Sequence, residues 1–239
     1  MGDRASLDLL GPQNELVDAM VATGKPVVAL VFNGRPLSFV HVTERVPAIL
    51  ECWYLGQECG RAVAETLFGE NNPSGKLPIT IPRSAGHVPA FYNYKPSARR
   101  GYLFDEVTPL YPFGFGLSYT AFRIDNVRLT PNGSDPVAIV RAEVSNVGER
   151  AGAEVVQMYI RDRVSSVTRP VKELKGFRKV VLDPGETKTV ELPITRESLA
   201  FWNIDMQEVV EPGEFDVMVG TSSRDSDLRT ITLRVHSPA

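Results

Sequence analysis

The chain has 239 residues, 43% of them hydrophobic and 23% charged, a composition that argues against disorder and against a membrane span and allows a packed core. Its 26 Lys and Arg stand against 29 Asp and Glu, a formal net charge of -3, so no basic field exists to hold nucleic acid or an anionic lipid surface. Domains usually run to about 100 to 200 residues, so two are expected.

The opening Met1-Gly2-Asp3-Arg4 carries opposite charges where an export signal needs a positive start followed by an apolar run. It shows no signal peptide, which makes the cytoplasm the default location. From Gln13 to Thr23, Leu16, Ala19 and Met20 recur at helical spacing, and Gly24 stops the helix. Pro26 to Phe32 is a continuous apolar run ended by Asn33-Gly34, the pattern of a parallel strand buried on both faces. Ala48 to Trp53 is a second short apolar stretch. A helix follows, with Cys59, Ala62, Val63, Thr66 and Leu67 on one face and Gly69 at its end. Cys52 and Cys59 have no second pair and no His at ligand spacing, which predicts free thiols and no metal. These elements are too few for a complete doubly wound domain, so residues 1–90 are expected to form a partial α/β domain.

Between Asn71 and Tyr119 seven prolines, Pro73 to Pro112, together with Gly75 break any long element. The aromatics in this stretch, from Phe91 to Tyr119, are suited to pinning residues 91–121 across a surface as an interdomain connection. From Phe122 onward the pattern is all-β. Runs at Val137–Val144, Val155–Ile160, Val171–Val181, Thr187–Ile194, Gly213–Gly220 and Leu228–Val235, with one more between Phe122 and Leu129, predict an antiparallel β-sandwich over residues 122–239. No Cys-Trp-Cys arrangement is present in this half, which leaves a fibronectin type III-like sandwich and disfavours a true immunoglobulin domain.

No nucleophile elbow, phosphate loop or zinc helix occurs. His41, His87 and His236 stand apart and read as surface or loop residues. Nothing in the residue pattern calls for a metal or a cofactor.

Several segments, in order, resemble the C-terminal part of family 3 glycoside hydrolases. They are Asp3-Arg4-Ala5-Ser6-Leu7-Asp8-Leu9, Gly24-Lys25-Pro26-Val27-Val28 through Asn33-Gly34-Arg35-Pro36-Leu37, and Trp53-Tyr54-Leu55-Gly56-Gln57-Glu58 with the helix to Leu67-Phe68-Gly69. Asn72-Pro73-Ser74-Gly75-Lys76-Leu77-Pro78, Pro82-Arg83-Ser84 and Lys95 to Tyr102 follow, then Leu110-Tyr111-Pro112-Phe113-Gly114-Phe115-Gly116-Leu117-Ser118-Tyr119-Thr120. Leu174-Lys175-Gly176-Phe177 and Leu182-Asp183-Pro184-Gly185-Glu186 add to the set. The sequence departs from the family at Leu55, where Pro is common, and at Cys59, where Gly is common.

The resemblance implies a β-glucosidase type of fold: a (β/α)8-type barrel, an α/β sandwich domain and a fibronectin type III-like domain. It also implies retaining chemistry by two carboxylates about 5 Å apart. The nucleophile Asp belongs to the barrel, and the acid/base Glu of many members lies just before the segment resembling Gly2-Asp3-Arg4, so both are expected outside this chain. Asp3, Arg4, Arg99 and Arg100 are the candidate substrate-cleft positions, the first two because they adjoin the acid/base loop. The partners this implies are a barrel-bearing chain or a second copy, with carbohydrate as a further one. A non-catalytic binding module and a self-associating truncated product are the alternatives.

Overall fold

The computed structural model describes residues 4–96, 101, 106–133 and 135–236. The first unit runs α1 (Gln13–Ala22), β1 (Val28–Val31), α2 (Val40–Arg45), β2 (Ala48–Glu51) and α3 (Cys59–Leu67). β1 and β2 pair in parallel, Val28 opposite Ala48 through Val31 opposite Glu51. The helix α1 ends where the sequence predicts, because Gly24 takes a φ of +69° that side-chain-bearing residues disfavour. Leu37, Phe39, Val42, Val46 and Ile81 form the core, and Val17, Val21, Val27, Ala29 and Val31 pack against it.

One expectation is overturned here. The strand β1 is not buried on both faces: Val27, Ala29 and Val31 meet the core, whereas Val28, Leu30 and Phe32 are 43%, 37% and 52% exposed. Likewise Leu16, Ala19 and Met20 of α1 point outward, while Val17 and Val21 point in. The cause is shared. Both elements are apolar on two faces, and the described residues cover only one of them. Of the α3 face read from sequence, Cys59, Val63 and Thr66 turn inward, at i, i+4 and i+7, while Ala62 and Leu67 are exposed. The short α2, six residues long, lies below the length at which helical periodicity can be read.

Among the described residues of 71–121 there is no strand longer than a single bridge, Ile81 to Tyr111, and there is one 3-10 turn, Ala85–His87. His87 is buried, not a surface residue: its Nδ1 meets the Ser84 hydroxyl at 3.0 Å and its Nε2 meets the Glu106 carbonyl at 2.7 Å. His41 reaches the Asp18 carboxylate at 2.9 Å.

The second unit contains β3 (Phe122–Pro131), β4 (Ala138–Asn146), β5 (Gly152–Asp162), β6 (Glu173–Leu182), β7 (Thr187–Ile194), α4 (Arg196–Leu199), β8 (Phe201–Trp202), β9 (Glu208–Val209), β10 (Gly213–Gly220) and β11 (Leu228–Val235). Its strands form one sheet in the order β11-β10-β5-β6 and another in the order β3-β4-β7, every pair antiparallel. The small β8-β9 hairpin stands apart from both. The alternation of buried and half-buried residues along β4 is strict, as expected of a strand with one face on a core. Val140, Val144, Val156, Met158, Leu192, Phe215 and Val217 fill the space between the sheets. The fold is therefore an α/β unit followed by an antiparallel β-sandwich.

Candidate functional site

The two units meet through the segment Leu110–Thr120, which lies against the outer face of β5. The Tyr92 ring stacks on Phe113 at 4.2 Å between centroids and stands edge-on to Tyr159 at 5.8 Å. Gln157 is 3% exposed. Its amide donates to the Gly114 carbonyl at 3.0 Å and to the Thr221 carbonyl at 2.7 Å, and its Oε1 accepts from the Tyr159 hydroxyl at 2.5 Å. Gly114 has a φ of +78°, and a Cβ there would lie 2.1 Å from the Gln157 Oε1. Only glycine fits this approach. Burial pushes the Tyr159 phenol well above its usual range and raises Tyr92 as well.

Further ties cross the same seam. Lys76 and Glu154 form an ion pair at 2.7 Å with both side chains largely buried. Asn72 holds the Ala151 carbonyl at 2.9 Å and accepts from the Ser118 hydroxyl and the Tyr119 amide at 2.8 Å each. Arg150 donates to the Gly69 carbonyl at 2.8 Å. These bonds fix the orientation of the α/β unit on the sandwich with polar groups that water would otherwise satisfy.

Beside the seam opens a cleft of about 550 Å³. The connecting segment contributes Phe91, Tyr92, Tyr94 and Leu110, the α/β unit contributes Arg83, and the sandwich contributes Lys172 and the turn Ser223–Ser226. Phe91 is 64% exposed. Both buried-edge cations are committed within the protein. Arg83 donates to the Thr108 carbonyl at 2.9 Å and pairs with Glu106 at 3.0 Å. Lys172 donates to the Ser223 carbonyl at 2.9 Å and pairs with Asp225. Arg224 lies 5.2 Å from the Phe115 ring centroid, within cation–π range.

A second polar feature sits at the carboxyl ends of β1 and β2, where ligands of parallel α/β sheets commonly bind. Asn33, 7% exposed, donates to Glu51 at 3.3 Å, but its Oδ1 is buried with no partner. Burial raises the Glu51 carboxyl above its ordinary value, with the Trp53 amide and Asn33 opposing. Trp53 itself takes a φ of +51°, a left-handed conformation that costs energy in a bulky residue. Cys52 is buried and Cys59 half-buried, both free thiols, and burial pushes the Cys52 thiol up.

Of the four cleft positions expected from sequence, only Arg4 is among the described residues; Asp3, Arg99 and Arg100 lie outside them. The Arg4 guanidinium donates to the Asp8 carbonyl, and its Nε is buried without a partner. Asp8 in turn accepts from Ser6 at 2.7 Å. Sequence reading missed Gln157, Lys172 and the Ser223–Ser226 turn, because none belongs to a motif of its own, and it read Asn33 only as part of a turn. Among the described residues no group of three or more His, Cys, Asp or Glu could hold a metal ion. No helix among them is long and apolar enough to cross a membrane.

The architecture is that of an open α/β unit clamped to a fibronectin type III-like sandwich, with a cleft at their seam. Comparison with known proteins narrows it. Residues 1–119 match the glycosyl hydrolase family 3 C-terminal domain, and residues 154–223 match the fibronectin type III-like domain. A β-xylosidase of Formosa agariphila is 49% identical over 98% of this chain and 33% of its own length. A periplasmic β-glucosidase of Salmonella typhimurium is 46% identical over 92% of this chain and 30% of its own length. The β-glucosidase of Listeria innocua, solved in complex with glucose, superposes with a TM-score of 0.93 at 38% identity, covering 99% of this chain and 34% of that one. The chain belongs to glycosyl hydrolase family 3, corresponding to the C-terminal portion of its β-glucosidases and β-xylosidases. It spans about a third of the length of the relatives it matches.

Proposed function

We propose that this chain is the C-terminal part of a retaining β-glucosidase- or β-xylosidase-type hydrolase, which acts on O-glycosyl bonds only when a barrel supplies the attacking carboxylate. The observation that carries the reading is the two-faced α/β unit. Leu16 and Met20 on α1, and Val28 and Leu30 on β1 with the adjoining Phe32, expose apolar surface on the faces turned away from the core, and the Asn33 Oδ1 is buried without a donor. Exposed apolar rows beside an unsatisfied polar atom mark a surface built to be covered. The relatives, being single chains about three times as long, supply a candidate cover in their remaining two-thirds. Retention needs two carboxylates about 5 Å apart across the scissile bond, and the family places the nucleophile in the barrel. Asp3, Arg4, Arg99 and Arg100 are the proposed substrate-cleft positions on this chain, the arginines being charged donors suited to hydroxyls or to a carboxylate held ionised.

The test is complementation. The chain alone should not hydrolyse aryl β-glucosides or aryl β-xylosides, and adding the separately expressed barrel portion of a close relative should restore turnover of at least one. Turnover by the chain alone would refute the placement of the nucleophile. Tight association without any restored turnover would refute the hydrolase reading in favour of a non-catalytic module.

A further inference from the structure

We propose that Asn132 is a site of spontaneous covalent modification, at which the side-chain amide is lost as ammonia and a carboxylate takes its place. The sequence holds two Asn-Gly pairs, Asn33-Gly34 and Asn132-Gly133. Such a pair is set up for internal attack, because a glycine without a Cβ lets its backbone nitrogen approach the preceding side chain. By residue order alone the two are equally reactive. The fold separates them.

Asn33 lies just past β1 and is 7% exposed, and its Nδ2 donates to Glu51 at 3.3 Å. Gly34 is crowded: a Cβ built on it would lie 2.4 Å from the Tyr54 ring. Closing a ring there requires the Asn33 side chain to turn onto its own backbone, which the packed surroundings permit only when the region opens. Asn132 stands in the turn between β3 and β4 and is exposed, as is Gly133. Its own amide N–H donates to the Val137 carbonyl at 2.8 Å, but among the described residues no hydrogen bond holds its side chain. A Cβ built on Gly133 would meet nothing within 4 Å. Both reacting groups are therefore free to move within a surface turn, the part of a fold most tolerant of such a change.

The step balances with water as its only co-reactant. The deprotonated Gly133 nitrogen attacks Cγ of Asn132, a C–N bond forms and the Cγ–Nδ2 bond breaks. Ammonia leaves carrying, in net, the proton of the Gly133 amide. Water then opens the cyclic imide at one carbonyl or the other, which restores the N–H and leaves aspartate or isoaspartate. No atom changes oxidation state. Because the nitrogen must lose its proton before it attacks, base promotes the reaction. The product carries one negative charge beyond the chain's formal -3.

The experiment is peptide mapping by mass spectrometry of the folded 239-residue chain after warm incubation at mildly alkaline pH, with a parallel sample held unfolded in urea. The peptide containing Asn132 should become about 1 Da heavier as the amide is replaced by a carboxyl group, and chromatography should resolve it into aspartate and isoaspartate forms. In the folded chain Asn132 should convert about tenfold or more faster than Asn33, whose reaction waits on local opening. In urea the two rates should converge, because the protection of Asn33 is lost. Gly133→Ala, which adds a methyl group in open space and leaves the fold intact, should slow conversion of Asn132 by about tenfold or more through its Cβ. Asn132→Gln, whose longer side chain must close a larger ring, should remain an amide. Equal rates for the two asparagines in the folded chain, an Asn132 that stays intact when folded yet converts in urea, or undiminished conversion in Gly133→Ala would overturn the inference.

Discussion

Gln157 carries the seam, and replacing it with leucine should lower stability and uncouple the unfolding of the two units. The substitution keeps the volume roughly constant and removes one amide and one carbonyl. Three buried groups then lose their partner: the Gly114 carbonyl at 3.0 Å, the Thr221 carbonyl at 2.7 Å and the Tyr159 hydroxyl at 2.5 Å. Each buried polar group left unsatisfied costs about 1 to 3 kcal/mol, so the total is about 3 to 9 kcal/mol if water does not enter. With a urea slope of about 3 kcal/mol/M, the midpoint should fall by about 1 to 3 M. Trp53 in the α/β unit and Trp202 in the sandwich permit separate readings by fluorescence, using Trp202→Phe and Trp53→Phe backgrounds. The parent should unfold at one midpoint from both reporters, and Gln157→Leu should separate them, because the strap through Gly114 is what couples the units. Tyr159→Phe, which removes a single donor, should cost only about 1 kcal/mol. The reasoning fails if Gln157→Leu costs no more than Tyr159→Phe, or if the two reporters still coincide.

Three further outcomes follow from local geometry. Gly116→Ala should destabilise by about 2 to 3 kcal/mol, because a Cβ there would lie 2.1 Å from the Gly75 carbonyl oxygen, whereas Gly133→Ala, with nothing within 4 Å, should be near neutral in the same denaturation assay. Tyr159 and Tyr92 have folded-state values raised above their unfolded ones. The stability they hold is therefore full below pH of about 10 and falls above it, by about 1.4 kcal/mol per pH unit for each group. Urea titrations between about pH 9 and about pH 11 should show the decline, and Tyr159→Phe should flatten it. Glu51 is also raised, so its contribution is present below the usual carboxylate range and lost as pH rises through its folded value. Glu51→Gln should accordingly be more stable than the parent at about pH 7 and equal to it near about pH 3, and the new amide can donate to the unpartnered Asn33 Oδ1. Lower stability of the Glu51→Gln variant at neutral pH in a thermal scan would contradict the burial argument.

Much of the sandwich is legible from residue order. Thr187–Ile194, Gly213–Gly220 and Leu228–Val235 are read with their observed ends, because glycine and proline punctuate them and period-two alternation runs between. The helices are less legible. Periodicity marks α1 but not its inward face, since Leu16, Ala19 and Met20 make as good a stripe as the Val17 and Val21 that the core takes. Short elements such as α2 and the β8-β9 hairpin hold too few residues for a period to show. The site is the least legible part: Gln157 meets partners 43 and 64 residues away, and Lys172 meets Asp225 across 53. No local pattern encodes such separations.

Residue order alone establishes that an α/β unit precedes a β-sandwich and, through its ordered motifs, the family to which the chain belongs, because periodicity and turn chemistry are properties of neighbouring residues. Which apolar faces are covered, where the seam runs and that a cleft opens beside it emerge only once the chain is folded. Those depend on which distant groups come within hydrogen-bonding reach, and burial is set by what a surface meets, not by what it is made of.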